Sequence, residues 1–105
     1  TRIEYRTGDA SANIYFFLAA MVLAGADGIL KGYDPVDMGY QSQDVKDELT
    51  FPLDLNSVLR GLENDREYLA PVFPDKLIEL WVKAKKAEAE YVYNAPTAQE
   101  YELYF

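Results

Sequence analysis

Within the opening residues "TRIEYR", three charged side chains stand two apart: Arg2, Glu4 and Arg6. On an extended backbone such positions share a face, and these three span roughly 13 Å of it. The set suits an anionic, metal-dependent site. A planar guanidinium grips carboxylate or phosphate oxygens in pairs, which makes Arg2 and Arg6 candidate substrate and nucleotide binders. The Glu4 carboxylate between them is a candidate ligand for a hard divalent cation that bridges phosphates. Together such groups neutralise the charge that gathers during phosphoryl transfer. The competing reading is a solvated strand face whose charges pair only with one another, each pair worth less than about 1 kcal/mol.

Composition narrows the chemistry. The chain has no histidine and no cysteine. It therefore lacks the usual general base near neutral pH and any thiolate metal site, so carboxylates are left to hold Mg²⁺ or Mn²⁺. A cysteine-free chain is compatible with a reducing cytoplasm, the expected location. The net charge of -8 opposes phosphate backbones, so no nucleic-acid partner is expected. With 105 residues, half of them hydrophobic and 14% aromatic, the chain can build one core and is not expected to be disordered. The apolar run Ile14 to Ala26 reads as too short for a bilayer, which needs about 20 residues, and it follows charged residues, unlike a signal peptide. No membrane partner is expected.

The elements that must position these groups follow from periodicity. Residues 1–6 read as a strand, charge alternating with bulk. "TGDASAN" reads as a turn into a long helix over 11–31, with Asp9 or Ser11 as its cap. The middle of that helix is apolar on nearly every side (Ile14, Phe16, Phe17, Leu18, Met21, Val22, Leu23), which predicts burial all round. A chain this short cannot surround it, so further protein is expected to. Gly32 and Pro35 end the helix, and residues 33–53 read as a long surface loop.

Residues 54–69 read as a helix capped by Asp54 or Asn56 and weakened at Gly61. Residues 74–93 read as an amphipathic helix burying Leu77, Leu80, Trp81, Ala84, Ala87 and Tyr91, with a Glu79–Lys83 pair outside. A short helix capped by Thr97 closes the chain, its Tyr101, Leu103, Tyr104 and Phe105 expected to anchor it. The isolated chain is thus expected to be mainly α: one N-terminal strand and about four helices.

The block "RIEYRTGDASANIYFFLAAMVLAGADGILKG" resembles the C-terminal part of the glutamine synthetase catalytic domain. Members carry R-x-E-x-R, a turn with Asp, an A-N-P-Y-type segment and a helix with A-G-x-D-G-I. Here these are Arg2, Glu4 and Arg6, then Gly8–Asp9, Ala12-Asn13-Ile14-Tyr15, and Ala24 to Ile29. "LNSVLRGLENDREYL", "VFPDKLIELWVKAKKAEAEYV" and "EYELYF" follow in the family's order.

The resemblance implies that residues 1–105 are the C-terminal portion of an α+β catalytic domain whose other parts are absent. It implies an ATP-dependent glutamate–ammonia ligase as the full-length protein, with this piece alone inactive. Glu4 would match a metal ligand, Arg2 a nucleotide-phosphate contact, and Arg6 a catalytic contact to the glutamate carboxylate that becomes an acyl phosphate. The expected partners are glutamate, ATP, ammonia and further copies in a ring-type dodecamer, with Mg²⁺ or Mn²⁺ as cofactor. Ile14 and Gly8 stand where prolines are usual or frequent, and neither change touches a charge. "MGYQSQ" does not match the regulatory tyrosine context of some members, so Tyr40 reads as a plain loop tyrosine. Two alternatives are a γ-glutamyl-polyamine or anilide synthetase of the same superfamily, and an acidic helical module that binds proteins without chemistry.

Overall fold

A computed structural model describes residues 1–6, 8–40 and 52–105. Its elements are α1 (Ile14–Lys31), α2 (Leu55–Asn64), a 3₁₀ turn (Glu67–Leu69), α3 (Asp75–Tyr93) and α4 (Ala98–Tyr104). Among the described residues there is no strand. This corrects the expectation for residues 1–6. A strand exists only through ladder hydrogen bonds, and no described segment lies alongside to accept them.

α1 begins later than its sequence pattern indicates. Asp9 does not cap it: its Oδ1 accepts from the Ser11 backbone N–H and hydroxyl, both at 2.7 Å, and so closes the preceding turn. The cap is Asn13, whose Oδ1 accepts from the N–H groups of Tyr15 and Phe16 at 3.0 and 3.2 Å. At the other end Gly32 adopts φ 64°. Its N–H donates to the Ile29 carbonyl and that of Tyr33 to the Gly28 carbonyl, satisfying two orphan acceptors. The left-handed turn is the expected role of Gly32. The expected 33–53 loop lies partly outside the described residues. Its described start turns at Pro35, where the Val36 N–H donates to Asp34 Oδ1 at 2.8 Å.

Asp54, not Asn56, caps α2, accepting from the Ser57 N–H at 2.7 Å. The helix ends at Asn64 rather than 69, because Asp65 and Arg66 leave helical dihedrals, both near φ -134°. Residues such as Asn and Asp readily bond the backbone in non-helical ways, which favours a break there. α4 carries a full capping box between Thr97 and Glu100.

α3 matches its expected span, but its buried face is rotated. Ile78, Val82 and Ala89 are buried, while Leu80, Ala84, Ala87 and Tyr91 are exposed. The helix has two apolar stripes, and α2 covers only one of them. The Glu79–Lys83 pair is absent among the described contacts; Lys76–Glu79 and Lys85–Glu88 form instead. Tyr101, Leu103, Tyr104 and Phe105 are exposed, and none of them joins the core among the described residues.

One small core joins Leu59, Leu69, Phe73, Ile78 and Val82. α1 covers it with Phe16, Ala19, Ala20 and Leu23. The Phe16 ring stands edge-on to both Phe73 and Trp81, with centroids 5.6 and 5.2 Å away. A bidentate Lys86–Glu63 contact at 2.7 and 2.9 Å ties α3 to α2. No residue of α1 is fully buried. The expected all-round burial is therefore met on one side only.

Candidate functional site

The residues singled out at the N-terminus come together. Arg2 Nη2 lies 3.3 Å from Glu4 Oε2, and Arg6 Nε lies 2.6 Å from Glu4 Oε1. Period-two spacing puts the three side chains on one side of the segment even without a sheet to hold it. The arginine side chains are 86% and 83% exposed and the carboxylate 47%, so all three are reachable by a ligand. Pairs this exposed contribute little to stability. Both arginines are ordered around one carboxylate rather than buried by the fold.

Two further residues position this segment. Tyr5 points to the opposite side from the charges and stacks on Phe17 of α1, centroids 5.9 Å apart. Gly8 lies so close to the Phe17 ring that an added Cβ would come to 3.0 Å from it. A Cβ there would press on the tip of the Phe17 ring, which would have to give by a few tenths of an ångström. The alternation of bulk with charge marks Tyr5 as the inward side. Nothing in the sequence identifies Phe17 as its seat, since Phe16, Phe17 and Leu18 are equally apolar.

A divalent cation has a chemically suitable donor in Glu4, but one carboxylate supplies at most two of the about six oxygens such an ion takes. Among the described residues, no three side chains from Asp, Glu, His and Cys stand close enough to hold an ion. Glu4 can therefore be one ligand of a shared set and not a complete site. Both its oxygens now face guanidinium groups, so a cation bound there must displace at least one of them.

Other titratable groups lie away from this cluster. The Ser11 hydroxyl and backbone N–H hold the Asp9 carboxyl below its usual range, and the Ser57 N–H and hydroxyl do the same for Asp54. Partial burial, with Asp65 nearby, pushes the Tyr68 hydroxyl up. None of these faces Glu4.

α1 ends where the sequence pattern places its end. The helix continues through Lys31, and its 18 residues with mean hydropathy 1.7 are long and apolar enough, by length and composition, to cross a membrane. One face is nevertheless committed to the core through Phe16, Ala19, Ala20 and Leu23. The Asp27–Lys31 pair, 2.9 Å apart, sits in its last turn.

Residues 1–104 match the family model for glutamine synthetase, catalytic domain. The chain is 35% identical to a glutamine synthetase of Sulfolobus acidocaldarius over 94% of its own length and 23% of the relative's. It is 33% identical to one from Aquifex aeolicus over 99% of its length and 24% of the relative's. One from Frankia alni is 36% identical, with the same coverage as the Aquifex protein. The chain thus spans about a quarter of the length of these relatives. No solved structure matches it.

Proposed function

The chain belongs to the glutamine synthetase catalytic-domain family, and from that membership we propose that it supplies one wall of the active site of an ATP-dependent glutamate–ammonia ligase. In this reading Glu4 is one metal ligand, Arg2 binds nucleotide phosphates and Arg6 binds the reacting glutamate carboxylate. The observation that carries the reading is the meeting of both guanidinium groups on the Glu4 carboxylate, 3.3 and 2.6 Å away, in an exposed segment.

The reaction joins glutamate to ammonia in two transfers. A side-chain carboxylate oxygen of glutamate bonds to the γ-phosphorus of ATP as the bond to ADP breaks. Ammonia then bonds to the acyl carbon, phosphate leaves, and the ammonia nitrogen loses a proton. A divalent cation, when bound, supplies positive charge beside the phosphoryl group. Arg2 fixes phosphate oxygens through its planar fork, and Arg6 orients the carboxylate and offsets charge as it is phosphorylated. Tyr5 and Gly8, seated on Phe17, hold the segment in register for both arginines.

The full-length protein is proposed to be a cytoplasmic ring-type homo-oligomer using Mg²⁺ or Mn²⁺. The 105-residue chain alone is expected to be inactive, because one carboxylate and two arginines are too few groups to hold metal, nucleotide, glutamate and ammonia together. The relatives named above are glutamine synthetases, which favours ammonia over a polyamine acceptor and gives no support to a non-catalytic module.

The test is Glu4→Ala in the full-length protein, assayed by γ-glutamyl hydroxamate formation across a Mg²⁺ series. We expect activity to fall more than about 100-fold, as for a lost metal ligand. Near-normal activity at every Mg²⁺ level would remove Glu4 from the metal shell.

A further inference from the structure

The two arginines hold Glu4 unequally. Arg6 Nε stands 2.6 Å from Oε1, and Arg2 Nη2 stands 3.3 Å from Oε2. Charge-assisted N–H···O bonds draw in to about 2.7–2.9 Å, so the Arg6 contact is fully made and the Arg2 contact is stretched. The nitrogens differ as well. Arg6 pairs through Nε, which leaves its two terminal nitrogens free for a second oxyanion. Arg2 pairs through Nη2, one of the two terminal nitrogens of its own fork. Arg6 can therefore hold Glu4 and meet a substrate carboxylate at once. Arg2 has to leave Glu4 to present its terminal fork to phosphate.

The segment is also anchored at one end only. Tyr5, between Glu4 and Arg6, packs on Phe17 with centroids 5.9 Å apart. Ile3, beside Arg2, is 97% exposed. Among the described residues Glu4 is the one ion-pair partner of Arg2. A divalent cation outcompetes so loose a contact. It approaches a carboxylate oxygen to about 2.1 Å and carries twice the charge of a guanidinium. It also repels a guanidinium drawn to the same oxygen. An exposed pair of this kind contributes little to hold Arg2 in place.

We propose that Arg2 is a displaceable latch on Glu4: a divalent cation enters at Oε2 and turns Arg2 out toward nucleotide phosphate, while Arg6 keeps its Nε on Oε1. This rests on the reading of Glu4 as a metal ligand and adds an order to it. The metal, and not the nucleotide, releases the phosphate-binding arginine.

The test uses the full-length protein with Mn²⁺ alone, without nucleotide or glutamate. Electron-microscopy maps of the metal-free protein should show both guanidinium groups on Glu4. With saturating Mn²⁺, Arg2 should leave Oε2 while Arg6 stays within about 3 Å of Oε1. In solution, phenylglyoxal labels free guanidinium groups, and peptide mass spectrometry reads the rate at each arginine. Mn²⁺ should raise Arg2 labelling by about twofold to fivefold, the range set by loss of an exposed ion pair, and leave Arg6 labelling unchanged. Glu4→Gln should show the raised Arg2 rate without Mn²⁺ and no further rise with it. The latch is overturned by Mn²⁺ on Glu4 with Arg2 still paired, by a metal-free map with Arg2 already away from Glu4, or by Arg2 labelling that Mn²⁺ slows or leaves unchanged. An equal Mn²⁺ response in Glu4→Gln overturns it too. None of these removes Glu4 from the metal shell. Mn²⁺ found away from Glu4 overturns both the latch and the metal role.

Discussion

Arginine and lysine carry the same charge, and the difference between them bears on the site. Arg6 reaches Glu4 through Nε rather than its terminal nitrogens. A guanidinium can therefore serve two oxyanions from different edges, which an ammonium cannot do with fixed geometry. Arg6→Lys in the full-length protein should raise the KM for glutamate and lower kcat together, by about tenfold or more in kcat/KM. Unchanged values of both would separate Arg6 from substrate. The three charged residues were legible in the sequence because period-two spacing survives in a single extended segment without a sheet. The aromatic seat of the segment was not, because choosing Phe17 over Phe16 depends on how α1 rolls against Phe73 and Trp81.

Helix positions were read well from the sequence where a local signal fixes them. Gly32 ends α1, Asp54 starts α2 and Thr97 starts α4, each through bonds to residues a few places away. Asn13 shows the limit of such signals: Asp9, Ser11 and Asn13 are all capping types, and Asp9 is consumed by its own turn. Asn13→Ala should cost about 1 kcal/mol of α1 stability, visible as lost helix content. The buried stripe of α3 was not legible, since two apolar stripes compete and only contact with Leu59 of α2 selects Ile78 and Val82. α2 has a pH signature as well. Bonding lowers the Asp54 carboxyl in the folded state, so its contribution is complete above the unfolded carboxyl range, about pH 4. That contribution is lost as pH falls through the lower folded value. Helix content should therefore drop on acidification below about pH 4, and Asp54→Asn, which keeps a capping oxygen, should flatten that step. An acid transition unchanged in Asp54→Asn would show that other carboxylates govern it.

At the scale of the whole chain, few side chains hold the helices together. Among the described residues six hydrophobic side chains are buried, and the Cα radius of gyration is 17.4 Å, against about 13 Å for a compact domain of this length. The sequence made this legible through α1, whose apolar surface exceeds what 105 residues can enclose. It left open which face would remain uncovered, because that depends on how α1 meets the 3₁₀ turn and α3. Phe73 lies between α1 and α3. Phe73→Ala should remove about 3–5 kcal/mol, a large part of any small domain's stability. Fluorescence of Trp81, the single tryptophan, reports on this junction and should show the loss of tertiary order. An unchanged unfolding transition would contradict the core as described.

Anomalous scattering from Mn²⁺ in crystals of the full-length protein with nucleotide locates the cation relative to Glu4 and its two arginines without relying on activity. A Mn²⁺ peak is expected about 2.1 Å from a Glu4 oxygen, with Arg2 on nucleotide phosphate and Arg6 turned toward the glutamate site. Mn²⁺ bound elsewhere, with Glu4 still held between Arg2 and Arg6 as at 3.3 and 2.6 Å in the chain alone, would contradict it.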